Sequence, residues 1–202
     1  MNYYKPVKNF QKGRNGNTIK GICCHIAEGT AWQVYSTFNN EQKSSHYLVL
    51  KNGDTWQFVL EQDTAWAQGY KDRPTAKLVL DNIETNPNSY LVSIEFEGYG
   101  NQDLTEIQYV NGGKLIGEIA KRHSLQLNRE VILRHNEIRK SKSCPGVVSV
   151  EKLIKYAFNP QAISEIELLK TKISLLQRLL ELLQSLNFYK KLGSNSEDEK
   201  GL

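Results

Sequence analysis

The run R-H-N-E-I-R-K-S-K-S-C-P-G, from Arg134 to Gly146, constrains this chain more than any other segment. It crowds an imidazole (His135), an amine (Lys142) and a thiol (Cys144) onto one short connection. Pro145 and Gly146 stop regular structure directly after the thiol. Imidazole and thiolate are both good zinc ligands, and an amine two residues before the thiolate would set a positive charge beside whatever the metal binds. The fold must therefore present this run as a loop, and it must bring a further ligand to it from elsewhere.

His25 is the candidate. It closes the segment T-I-K-G-I-C-C-H-I-A, residues 18–27, in which Ile19, Ile22, Cys23 and Cys24 make an apolar, β-prone run. His25 is thus expected near the C-terminal end of a buried strand, where open α/β sheets carry their ligands. Two histidines and a cysteine would leave one zinc position open to water, as in catalytic sites. On the residues alone a second reading stays open: His25 as a hydrogen-bonded core histidine and Cys144 as a small buried hydrophobe.

The rest of the chain predicts an α/β fold with a mixed central sheet flanked by helices. Residues 1–17 read as an irregular lead-in. Strands are expected over 18–26, 46–51, 55–60 and 90–96, with Asn52-Gly53 turning a hairpin between the second and third. A short extended segment over 131–133 feeds His135. Helices are expected over 31–38, 75–83, 104–123 and 150–158, with Gly112-Gly113 weakening the middle of the third. A catalytic domain over 1–160 would then give way to a Leu-rich amphipathic helix over 161–192 and a disordered tail over 193–202. In that helix Ile166, Leu169, Ile173, Leu176, Leu180 and Leu183 recur by threes and fours, and further leucines widen the stripe. This breadth predicts a homo-oligomer, in a bundle of more than two helices, or docking on the catalytic domain. Membrane-surface binding is disfavoured because the charges on the helix balance.

With 202 residues and a net charge of +4, the chain is an ordinary, mildly basic globular sequence. It has no dense Lys/Arg block and no glycine-aromatic RNA-binding signature, which argues against nucleic acid. Three cysteines cannot complete a disulfide set, and a reduced site of synthesis is the simpler reading. No apolar run is long enough for a transmembrane helix, and the first ten residues lack a signal-peptide core. The expectation is synthesis in the cytoplasm.

Five segments, in order, carry a family resemblance across roughly residues 10–158. They are G-I-C-C-H-I-A-E-G-T (21–30), S-S-H-Y-L-V-L-K-N-G-D (44–54), D-T-A-W-A-Q-G (63–69), N-P-N-S-Y-L-V-S-I-E-F-E-G (86–98) and the opening run with its Cys-Pro-Gly ending. Together they resemble the zinc-dependent N-acetylmuramoyl-L-alanine amidases of the peptidoglycan recognition protein superfamily, phage endolysins above all.

The resemblance implies a role for each matched position. His25, His135 and Cys144 match the zinc ligands, although many relatives have Asp in place of Cys144. Glu95 matches the catalytic glutamate, and only this match selects it over Glu97. Lys142 matches the basic residue that would stabilise an oxyanion. Tyr47 and Trp66 are candidate substrate contacts, whereas His46 reads as a core or supporting histidine and His123 as a helix cap. Where some relatives carry a catalytic tyrosine this chain has Ser45, which favours Glu95 as base. The histidine often found after the family's tryptophan is missing from W-A-Q-G. The implied activity is hydrolysis of the amide between N-acetylmuramic acid and L-alanine in peptidoglycan. The enzyme would be endolysin-like and reach the wall after release by another factor, such as a holin. The alternatives are a non-catalytic peptidoglycan-binding module, an amidase recycling wall fragments, and an interaction protein acting through the helical tail.

Overall fold

The computed structural model describes residues 2–159 and 172–185. The chain divides into two compact units, Met1–Pro160 and Gln161–Leu202.

In the first unit, the elements run β1 (Asn2–Tyr4), β2 (Phe10–Gln11), β3 (Gly21–Ile26), α1 (Ala31–Asn40), β4 (Tyr47–Val49) and β5 (Thr55–Gln57). There follow β6 (Thr64–Ala65), α2 (Lys77–Leu80), α3 (Pro87–Tyr90), β7 (Leu91–Phe96), α4 (Glu106–Arg122), β8 (Ile132–Arg134) and α5 (Val150–Phe158). Six strands make a mixed sheet in the order β1-β5-β4-β7-β3-β8, and β2 pairs with β6 separately. The β4–β5 pair alone is antiparallel within the large sheet. Its turn is the predicted one: Gly53 adopts φ 85°, and Gly53 N–H donates to the Leu50 carbonyl.

The central strands β3 and β7 are covered on both faces, which explains their apolar sequences. Alternation sends Ile22, Cys24, Ile26, Val92, Ile94 and Phe96 into one core layer with residues of α4 and α5. The other face is covered near α1 by a cluster holding Val34, Phe38, Leu48 and Trp56. Near α2 it is covered by a cluster holding Cys23, Val79, Leu91 and Leu133. His25 and Glu95 share the strand parity of Cys23 and Leu91, so they belong to this second face.

Three expectations need correction. The lead-in is not irregular throughout, because Asn2–Tyr4 adds an edge strand parallel to β5 and Phe10–Gln11 pairs with β6. These pairings are tertiary, and such short segments carry no alternation to reveal them. The helix expected over 75–83 shrinks to one turn, Lys77–Leu80. The Gly112-Gly113 pair does not interrupt α4. A Cβ on Gly112 would come within 2.5 Å of the Phe96 ring, and one on Gly113 would collide with Tyr156 of α5. The glycines let α4 approach the sheet and α5 closely, which outweighs their low helix propensity.

In the second unit, residues 172–185 are helical. Ile173, Leu175, Leu176, Leu179, Leu180, Leu182 and Leu183 are 49–64% exposed. The remaining parts of the predicted amphipathic helix, and the tail over 193–202, lie outside the described residues. Among the described residues no helix is long and apolar enough to cross a membrane.

Candidate functional site

His25 is fixed by strand register. It lies beside Glu95 across the parallel β3–β7 pair, one residue from the end of β3. β8 runs on the other side of β3 and ends at Arg134, so His135 opens a short 3-10 turn just beyond the sheet. The loop after that turn folds back. Cys144 O accepts from Asn136 N–H at 2.9 Å, and Ile26 N–H points at Cys144 Sγ at 3.3 Å. Gly146, with φ 66°, packs directly on Gly100, where a side chain would collide with backbone.

The result is one cluster. Donor atoms of His25, His135 and Cys144 all lie within 4.8 Å of one another. The two imidazole centroids are 4.5 Å apart, and Cys144 Sγ is 3.8 Å from His25 Nδ1. His135 Nε2 faces the Gln68 carbonyl at 3.1 Å. A carbonyl only accepts, so Nε2 carries the proton and Nδ1 keeps a free lone pair. His25 Nε2 is buried with no partner among the described residues.

Electrostatics point the same way. Burial holds the His25 pKa well below the usual histidine value, with His135 and Lys142 adding to the effect. Burial likewise lowers His135 to about 4, with Lys142 and Arg139 contributing. Both rings are therefore neutral at pH 7, the form that binds a metal. Burial pushes the Cys144 thiol up, and the Glu95 charge adds to this. With its pKa raised, this sulfur stays protonated on its own; a bound divalent ion is what would make it a thiolate. Two neutral imidazoles, a thiol and an unpartnered buried nitrogen fit a zinc-like ion.

Glu95 is partly open to a cleft of about 80 Å³ walled by Glu28, Gln33 and Thr37. Its Oε2 is buried without a partner among the described residues, and burial, then the charge of Glu28, raises its pKa to about 8. Glu97 has a different task. It accepts from Ala31 N–H at 3.0 Å and Lys51 N–H at 2.8 Å, anchoring the start of α1.

The remaining candidates divide. Lys142 is exposed and close enough to His25 and His135 to depress both. Trp66 is half-buried two residues before Gln68, on the segment whose carbonyl meets His135. Tyr47 is not brought to the cluster, and this expectation is corrected. Alternation turns its side chain to the opposite face, with the α4–α5 core, and its hydroxyl donates to Glu61 at 2.6 Å. The same carboxylate holds His123, and Tyr47 lines a separate cleft with Tyr3, Gln57 and Arg122. Sequence reasoning missed Glu28, Gln68 and Asn88. Asn88 Oδ1 accepts from both Ala67 and Gln68 N–H, which sets the carbonyl that meets His135. Glu28 left one signal, its place before a glycine at a strand end; its backbone is left-handed, with φ 53°.

A family model described as N-acetylmuramoyl-L-alanine amidase matches residues 15–147. The chain belongs to this family. The amidase is accordingly a hydrolase acting on peptidoglycan, as the five ordered segments implied. No curated protein matches it by sequence. Among solved structures, a selenomethionine derivative of AmpD superposes with TM-score 0.61 and 16% identity, the match covering 77% of this chain and 93% of that one. The amidase AmiD from E. coli gives TM-score 0.57 and 25% identity over 68% of this chain. It was solved with the substrate anhydro-N-acetylmuramic acid-L-Ala-D-gamma-Glu-L-Lys, and the match spans 57% of it. The amidase LysC from Clostridium intestinale URNW gives TM-score 0.53 and 16% identity, over 79% of this chain and 97% of that one.

Proposed function

We propose that the amidase holds a catalytic zinc ion on His25, His135 and Cys144, and that Glu95 is its general base. The observation that carries this reading is the buried donor cluster with Glu95 beside it in register. Bound there, zinc would polarise the amide carbonyl and acidify a water. Glu95 takes the proton of the attacking water on its unpartnered Oε2. It then returns a proton to the alanine nitrogen as the C–N bond breaks, leaving a muramoyl carboxylate and a free L-alanine amine. A carboxyl group whose pKa lies near the working pH can do both. Lys142 supplies positive charge where the carbonyl oxygen becomes negative. Gln68 O fixes the His135 tautomer, and Trp66 flanks the substrate. The enzyme is endolysin-like, acting on intact wall.

Turbidity of purified cell walls tests this reading. Clearing should stop with a chelator, return with added zinc, and release new alanine amino termini. Clearing that persists at full rate without metal would sink it.

A further inference from the structure

Trp32 is the most exposed tryptophan of the chain, at 64%, yet it is not loose. Its indole meets Trp56 edge-on at 5.1 Å between centroids and Tyr35 at 6.0 Å. Lys5 Nζ lies 4.9 Å from the Trp32 centroid and 4.6 Å from that of Trp56. The backbone beneath is held as well. Lys5 N–H donates to Gln57 O, and a capping box of Thr30 and Gln33 closes the first turn of α1. Ala31 N–H is tied to Glu97, two residues beyond Glu95. The next residues of the helix, Gln33, Val34 and Thr37, wall the Glu95 cleft. The indole is therefore a held surface plate, on the side of α1 turned away from the residues that wall the Glu95 cleft.

Exposure alone does not distinguish Trp32, but an exposed indole held by Tyr35 and Trp56 with an ammonium beside it offers a preformed contact surface. Its chemistry narrows the partner. A pyranose ring offers a flat array of C–H groups that stacks on an indole, while a neighbouring ammonium bonds hydroxyl, carbonyl or carboxylate oxygens. We propose that Trp32, with Lys5 beside it, is a binding platform for the glycan strand of the wall polymer, outside the cleft that cuts the amide. This rests on the amidase reading, and it adds a second point of attachment that only a polymeric substrate can use.

Initial rates of full-length Trp32→Ala should be measured on insoluble sacculi and on a soluble muramoyl tripeptide. The sacculus concentration giving half-maximal rate should rise about five- to tenfold, the scale of one lost aromatic contact. The kcat and KM for the soluble fragment should stay within about twofold of wild type, because the cleft is untouched. Trp32→Tyr should recover most of the loss. Equal losses on both substrates, or no loss on sacculi, would overturn the platform. If wild type cleaved neither substrate, the amidase reading would fail. Co-sedimentation of wild type and Trp32→Ala with sacculi would still decide the platform: equal pelleting overturns it, and weaker pelleting of the variant supports it.

Discussion

His25 and His46 are both sealed from solvent, at 2% and 0% exposure, and they stand on either side of β7. Their surroundings are opposite. His46 Nδ1 accepts from Ser93 N–H at 3.0 Å, its Nε2 lies 3.1 Å from the Asp63 carbonyl, and the Arg14 guanidinium packs 2.8 Å from the same nitrogen. Arg14 in turn donates to the carbonyls of Glu61, Ser89 and Leu91. His25 Nε2 has no partner among the described residues, and its Nδ1 lies 3.8 Å from the Cys144 sulfur. A buried imidazole with a full set of protein partners ties segments together. One whose nitrogens face other donors is set for something the polypeptide does not itself supply. The difference separates two roles that the residue type and its burial leave identical.

The sharpest way to break the contrast is at the reactive side. Glu95→Gln should lower kcat by about 10²–10⁴-fold, the range for losing a general base, with melting temperature unchanged or raised. The gain in stability would follow from removing a buried, unpartnered carboxylate. Glu97→Gln serves as the control and should leave kcat nearly intact. A crippled Glu97 variant with a healthy Glu95 variant would reverse the assignment.

The structural side should respond in stability instead. His46→Ala strands the Ser93 amide and the Asp63 carbonyl, and should cost about 2–4 kcal/mol in denaturant unfolding. Activity per folded molecule should survive. A large kcat loss with little loss of stability would erase the distinction between the two histidines.

The effect that is smallest at any one condition is in the slope of stability against pH. Burial, followed by the charge of Arg14, lowers the His46 pKa to about 3. The unfolded chain, with an ordinary histidine near 6.5, therefore binds the proton first. Its contribution to stability is complete above pH 6.5 and is lost as pH falls toward 3. One such proton changes stability by about 1.4 kcal/mol per pH unit. His46→Ala should flatten the acid limb by up to that slope, and an unchanged limb would contradict the burial argument.

The donor set was legible because each of its members sits at a point the backbone must fix. His25 ends an apolar strand, His135 follows a short one, and Cys144 precedes a Pro-Gly stop. Glu95 and Glu97 share strand parity, so the residues alone did not separate them and only the family match favoured Glu95. The structure adds that Glu97 lies beyond β7, where it anchors Ala31 and Lys51. Tyr47 was misplaced because a strand sequence buried on both faces does not say which face holds the chemistry. Gln68 acts through its main-chain carbonyl, which no side-chain pattern announces. The α4 glycines looked like a flaw in a helix because their partners, Phe96 and Tyr156, are distant in sequence.

The central claim is that His25, His135 and Cys144 form one metal site. Elemental analysis of the purified full-length chain tests it most directly, with Cys144→Ser measured alongside under the same metal-buffered conditions. The arrangement predicts about one zinc per wild-type chain. It also predicts a large loss of zinc in the variant with its circular dichroism preserved. A metal-free wild type, or a Cys144→Ser variant that keeps its full zinc, would contradict it.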